Sequence, residues 1–150
     1  NNGILWFDPE PGRPNSLAPD KRCLMNVCPA IGQHKDKRFA IGASGGRKIL
    51  PAILQLTSCL MDFDMTLEDA FHQARVDFSG GDTVIIDQSL SPDIVAALGE
   101  RHRCVTTRRT AFPYAFACPA GVLRQGNFNQ GMTEIMSPWG DAVAENRDGS

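Results

Sequence analysis

The chain is short of most features that would announce a function. No apolar run approaches the roughly 20 residues that a bilayer-spanning helix needs. Its 15 lysines and arginines are scattered and, set against 17 acidic residues, leave a formal charge of −2. Such a surface offers no basic stripe to nucleic acid or to an anionic membrane, so neither is expected as a partner. There are five cysteines, Cys23, Cys28, Cys59, Cys104 and Cys118, an odd number with no framework spacing. Zinc sites draw their ligands in close pairs, and Cys23 with Cys28 has no second pair to join. The thiols are expected to be free and buried or half-buried, which favours a reducing, cytoplasmic compartment. His34, His72 and His102 are far apart and match no metal spacing, so no metal or other cofactor is implied. Repeats and low-complexity tracts are missing. So is an initiator methionine, since the chain begins "NNGILWF". It therefore reads as a piece excised from a longer precursor, with any targeting segment upstream.

What is present is ordinary globular material: 150 residues, 42% hydrophobic and 21% charged. That suits one domain, here read as a partial one spanning 1–150, with a polar tail at 147–150 expected to fray. "DPEPGRPNSLAPDKR" carries four prolines and must be an irregular connection. Ala30–Gly32 and Arg38–Gly42 read as a hairpin with "QHKDK", including an exposed His34, at its tip. Lys48–Met61 is apolar nearly all round and predicts a deeply buried helix. Thr66 opens a second helix with the capping box "TLED", and Leu67, Ala70, Phe71 and Ala74 form its inner face. His72 lies off that stripe. Thr83–Asp87 reads as a strand. "SPDIVAALG" is a helix, with Ser91 as N-cap, Pro92 in the first turn and Gly99 as the stop. Cys104–Thr107 is a further strand, and Tyr114–Cys118 is expected to pair with Val122–Gln125 across "PAG". Strands and helices mixed in this way predict an α+β or α/β sheet protein.

The stretch "FAIGASGGRKILPAIL" joins a strand to a helix through glycines. A phosphate-binding loop needs glycine directly before lysine and Ser or Thr after it. Here Arg47 precedes Lys48 and Ile49 follows, so the phosphate reading fails. Two glycines at a helix N-terminus still present backbone N–H groups without helical partners, a suitable cradle for an oxyanion. The same pair could equally be a tight turn with no chemistry.

The flanking residues add weight to the first reading. Asn1-Asn2, Phe7, Pro11-Gly12, Asn15, Lys21-Arg22, Leu24, Pro29, Gly42, Gly45-Gly46, Ile49 and Ser91-Pro92 occur in an order and spacing that resembles the C-terminal part of the γ-glutamyltransferase family. The resemblance implies part of an αββα N-terminal-nucleophile hydrolase sandwich, the C-terminal portion of the small subunit of a self-cleaving precursor. In that family a threonine at the new N-terminus attacks an amide, with its own α-amino group as base. The resemblance aligns Gly45 and Gly46 with the oxyanion-hole glycines. The nucleophile lies upstream of Asn1, so this piece alone is expected to be inactive.

Two departures concern the acyl pocket. After Asn1-Asn2 the family carries an acidic or amide residue and, three positions on, an aspartate, which hold the substrate's α-amino group. Gly3 and Trp6 stand there. A serine pair receives the α-carboxylate, and Met25 and Asn26 replace it. A buried ammonium and carboxylate need charge-assisted partners, which Gly3, Trp6 and Met25 do not offer. The reading is an amide hydrolase or acyltransferase whose acyl specificity has moved away from γ-glutamyl. The alternatives are a true γ-glutamyltransferase with donor ligands from the large subunit and a nonenzymatic scaffold or binding homologue. The expected partners are the remainder of its own precursor and a small-molecule amide. The piece alone is expected to self-associate, and the resemblance leaves a periplasmic location open.

Overall fold

Among the described residues, short strands alternate with three α-helices because the apolar spacing switches between periods of two and of about 3.6 residues. The structure is a computed structural model, and it describes residues 2–110 and 112–143. The tail at 147–150 and Asn1 lie outside the described residues. The architecture is α+β with two sheets. In order come β1 (Ala30–His34), β2 (Lys37–Ser44), α1 (Ile49–Met61), α2 (Leu67–His72), β3 (Val76–Asp77) and β4 (Thr83–Asp87). Then follow α3 (Pro92–Gly99), β5 (Arg103–Thr107), β6 (Cys118–Gln125) and β7 (Phe128–Thr133). One sheet has the order β1-β2-β6-β7 and is antiparallel throughout. The other has the order β3-β4-β5, with β4 and β5 parallel across α3.

The core forms where α1 and α2 lie on one face of the larger sheet. Strand alternation sends Phe39, Ile41 and Leu123 to that face, and they meet Ile53, Leu56, Leu60, Leu67 and Phe71. Each such fully buried side chain contributes about 1.5–3 kcal/mol relative to exposure. Pro51 sits in the first turn of α1, where its missing N–H has no helical acceptor to lose. Gln55 ties α1 to the smaller sheet: its Nε2 donates to the Val76 carbonyl (2.6 Å), and its Oε1 accepts from the Val76 N–H (2.9 Å).

Several expectations need correction. α1 is not buried all round, since Leu50 is 58% and Leu54 is 56% exposed on its outer side. The β1–β2 hairpin forms, but its tip is only Lys35-Asp36, so His34 is half-buried at the end of β1. Lys37 explains the longer strand: it is buried, and its ammonium donates to the Asp64 carboxylate (2.6 Å) and to the Asp64 and Met65 carbonyls. The expected hairpin across "PAG" is overturned, because Cys118–Gln125 is one continuous strand between β2 and β7. Pro119 is tolerated near its start, since pairing with β7 begins only at Ala120. The actual turn is Gly126-Asn127, where Gly126 has φ +57°. A Gly-Asn pair is a two-residue hairpin signal.

At the caps, Thr66 Oγ1 accepts from the Asp69 N–H as expected (3.0 Å). The Asp69 carboxylate, however, takes the Thr66 hydroxyl proton rather than a backbone donor (2.7 Å). α2 stops at His72, which leaves Ala74 half-buried beyond it. Ser91 stands at the N-cap position of α3 without a side-chain capping bond.

Candidate functional site

Gly45 and Gly46 lie where β2 leaves the sheet and a 3-10 turn, Gly46–Lys48, leads into α1. Gly45 has φ +139° and Gly46 φ +60°, backbone regions that side chains other than glycine's rarely enter. Gly45 also needs to be glycine for space: a Cβ there would stand 2.9 Å from the Ala117 Cα. The turn closes with the Lys48 N–H donating to the Gly45 carbonyl (3.2 Å). Among the described residues, no backbone carbonyl outside the regular elements accepts from the N–H of Gly45 or Gly46. Donors left over at a helix start suit an anionic oxygen.

The loop borders an open cleft of about 770 Å³. Trp6, Met25 and Asn26 line it together with Gly45 and Gly46, so five of the six anticipated residues share one cavity. Gly3 does not line it. It stands behind Met25, and a Cβ on Gly3 would lie 3.4 Å from the Met25 sulfur. Leu5, Val27, Ala43, Ser44 and Ile49 complete the wall, and none of the lining residues carries a charge. Trp6 reaches the loop, with its ring Cη2 3.8 Å from where a Gly46 Cβ would be. Met25 is 42% and Trp6 39% exposed, so both are available to a ligand rather than spent in the core.

Trp6 ends a short 3-10 turn, and Asn15 holds it there by donating from Nδ2 to the Trp6 carbonyl. The proline-rich connection is thus a closed loop, with backbone bonds from Asp8 N–H to the Asn15 carbonyl (2.8 Å) and from Leu17 N–H to the Asp8 carbonyl (3.0 Å). Lys48 secures the other side of the glycine loop: its ammonium donates to the carbonyls of Tyr114 (2.9 Å) and Ala115 (2.8 Å).

Behind Ala117 lies a buried charge network that local patterns do not reveal. Arg75 Nη1 donates to the Ala117 carbonyl (3.1 Å) and to the Glu134 carboxylate (2.5 Å). Arg109 pairs with Asp87 (3.2 Å) and approaches Glu134 (3.7 Å). Burial pulls the Arg75 guanidinium down from its usual very high pKa, with Glu134 opposing and Arg109 adding to the shift. It stays charged, since arginine does not lose its proton in proteins. Cys118 lies opposite Ser44 in the strand register, and burial pushes its thiol pKa up, with Glu134 adding to the rise. All five cysteines are unpaired and half-buried. Among the described residues, no three His, Cys, Asp or Glu side chains gather as a metal site, and no helix is long and apolar enough to cross a membrane.

Only part of this cleft has a local signal. Ser44 directly precedes the glycine pair, and Val27 continues the segment of Met25 and Asn26. Ala117, just before β6, and Arg75, just before β3, are remote from the loop in sequence, and only packing brings Ala117 against it and Arg75 behind Ala117.

Comparison with known proteins bears on the family and the fold. The family model described as Gamma-glutamyltranspeptidase matches residues 1–134. The Acylase ACY 1 proenzyme of Pseudomonas sp. (strain V22) is 34% identical over 113 residues, covering 74% of this chain and 20% of the relative. The Glutathione hydrolase proenzyme of Bacillus subtilis subsp. natto is 28% identical over 109 residues, covering 71% of this chain and 19% of that protein. The chain thus spans about a fifth of the length of the curated relatives it matches. Among solved structures, Helicobacter pylori gamma-glutamyltranspeptidase superposes with a TM-score of 0.71 at 22% identity, over 91% of this chain and 80% of that one. The two-sheet α+β fold is therefore that of the solved gamma-glutamyltranspeptidase structures. With 134 of its 150 residues inside the family match, the chain belongs to the gamma-glutamyltranspeptidase family.

Proposed function

We propose that this chain is the part of a self-cleaving amide hydrolase or acyltransferase that supplies the oxyanion loop and acyl pocket, and that its acyl specificity has moved away from γ-glutamyl. The nucleophile in this reading is an N-terminal threonine outside the chain. Its hydroxyl attacks the amide carbonyl while its α-amino group accepts the proton. The N–H groups of Gly45 and Gly46 receive the developing oxyanion, and the amine departs with the proton. Water or a second amine then takes the acyl group.

The observation that carries this reading is the uncharged cleft. Trp6, Met25 and Asn26 stand beside the glycine loop, and no lining residue is ionisable at neutral pH. A γ-glutamyl group brings an ammonium and a carboxylate, and placing either in such a wall without a partner costs several kcal/mol. A smaller or less zwitterionic acyl group, held at one end by the Asn26 amide, fits better. The 34% identity to an acylase supports the same direction.

The test is a panel of γ-glutamyl, glutaryl, oxamate-like and simple acyl amides, compared by kcat/KM on the full-length mature protein. A preference for the less zwitterionic donors is expected. A clear preference for γ-glutamyl would overturn the reading and favour the second one, a true γ-glutamyltransferase whose donor ligands come from the large subunit. The 28% identity to glutathione hydrolase is what favours that second reading. In both, the remainder of the precursor is the chain's first partner.

A further inference from the structure

The second half of α1 and the chain from Phe63 to Arg75 border a separate cavity of about 340 Å³. It shares no lining residue with the cleft beside Gly45 and Gly46. Its walls are mainly apolar, with Leu56, Phe63, Met65, Ala70 and Ala74. Phe63 is 68% exposed, which leaves its ring available to a ligand. The Cys59 thiol also lines the cavity and is half-buried. Burial pushes that thiol's pKa up, with the Arg75 guanidinium opposing the shift.

Most of the polar lining is already engaged. Gln55 bonds the Val76 backbone (2.6 and 2.9 Å), and the Ser58 hydroxyl donates to Asp62 (2.7 Å). Gln73 Nε2 donates to the Asp69 carbonyl (3.4 Å). Arg75 is the exception. It is 2% exposed, and among the described residues its Nε–H has no acceptor. Its Nη1 serves the Ala117 carbonyl and Glu134, and its Nη2 the Phe71 carbonyl (3.4 Å). A buried donor without a partner carries its full desolvation penalty, so native structures seldom leave one.

The charge balance decides which acceptor suits it. Arg75 and Arg109 face Glu134 and Asp87, two charges of each sign. A carboxylate or phosphate added here would be a surplus charge among apolar walls, which is strongly destabilising. A neutral carbonyl oxygen brings no such charge and needs only one N–H. The volume lies at the low end for ligand sites and suits a single ring with a short substituent.

We propose that this cavity binds a small neutral aromatic carbonyl compound, an amide or ketone. Its ring lies among Leu56, Phe63, Met65 and Ala70, and its oxygen accepts from Arg75 Nε. This site is independent of the reaction at the glycine loop.

The experiment uses the mature full-length protein and follows alkylation of Cys59 by iodoacetamide at mildly alkaline pH, mapped by mass spectrometry. Benzamide is the probe. Toluene, which has the ring but no acceptor, and benzoate, which adds a charge, are the comparisons. Benzamide is expected to slow alkylation of Cys59 saturably and to leave that of Cys104 unchanged. A hydrogen bond adds roughly a factor of three or more in affinity, so toluene should need at least about threefold higher concentration. Benzoate should protect no better than toluene. Ala74→Leu, which fills the cavity, is expected to abolish the protection while the far-UV circular dichroism stays unchanged. Should that variant not fold, the three probes on the unsubstituted protein decide alone. A Cys59 that is unreactive without any probe would mean that other parts of the molecule fill the cavity, and would overturn the proposal. So would equal protection by all three compounds, strongest protection by benzoate, no protection by benzamide, or full protection in a folded leucine variant.

Discussion

Gly45 rests on Ala117: a Cβ at Gly45 would stand 2.9 Å from the Ala117 Cα, closer than packed carbons approach. Ala117 is itself 2% exposed and held from behind by Arg75, so the glycine loop is set against a fixed wall. Its neighbour Gly46 is less crowded and has φ +60°. This difference separates backbone chemistry from backbone shape. In the full-length protein, Gly46→Val is expected to lower the acylation rate by about 10²-fold or more. Gly46→Asn, which tolerates the left-handed region and keeps the N–H, is expected to retain most of the activity. Stopped-flow acylation, with folding and subunit cleavage checked in parallel, decides. Unchanged turnover in the valine variant reduces the pair to a structural turn.

Substrate choice is the second prediction. Restoring the family pattern with Gly3→Glu, Trp6→Asp, Met25→Ser and Asn26→Ser is expected to shift preference back towards γ-glutamyl donors. Regaining even one charge-assisted contact, about 1.5–3 kcal/mol, corresponds to roughly tenfold or more in relative kcat/KM. The four positions are neighbours, so single variants need not sum to the combined one. A combined variant with unaltered ratios counts against these residues as specificity determinants.

The buried charges give a third. Removing one partner of the Arg75–Glu134 pair by Glu134→Gln leaves a guanidinium with poorer compensation, and a loss of about 3–5 kcal/mol in stability is expected. The double replacement Arg75→Met with Glu134→Leu is expected to recover part of it. Chemical denaturation of the full-length protein measures both. A double variant no more stable than the single would show that the Ala117 contact, rather than charge pairing, dominates.

Acid sensitivity is predicted at Asp64. Side-chain hydrogen bonds from Lys35 and Lys37 hold its carboxyl at about 2, below the ordinary 3.8. A depressed folded-state value means that the stabilisation is fully present above about 3.8 and is lost as pH falls through about 2. Asp64→Asn should flatten the dependence of unfolding midpoint on pH in that window and leave the slope near neutrality unaltered. A window unaffected by the substitution would mean that Lys37 binds mainly through the Asp64 and Met65 carbonyls.

The isolated chain is expected to bind apolar dyes and to self-associate, because Ile31, Leu50, Leu54 and Val122 are all more than half exposed. Light scattering and dye fluorescence at rising concentration test this. A tight monomer without dye binding would count against the chain's being part of a larger assembly.

The elements with strong local signals are legible in the residues alone. Thr66 caps α2 because a threonine oxygen needs only a backbone N–H three residues on, and Pro92 starts α3 because its missing N–H is an orphan there anyway. The turn at the glycine pair is legible for the same reason, since positive φ is a local backbone property. Periodicity misreads the stretch around Pro119, because whether a strand continues through proline depends on which neighbour would have accepted the missing hydrogen bond. It also overstates the burial of α1, since an apolar side chain such as Leu54 does not say which partner covers it. The cleft itself is decided by tertiary structure. Trp6 comes within reach of Gly46 because Asn15 closes the proline-rich loop around it, and Ala117 reaches Gly45 because β6 pairs with β2. Contacts between residues so distant in sequence depend on sheet register and on where buried charges such as Arg75 find their partners, and no local pattern encodes either.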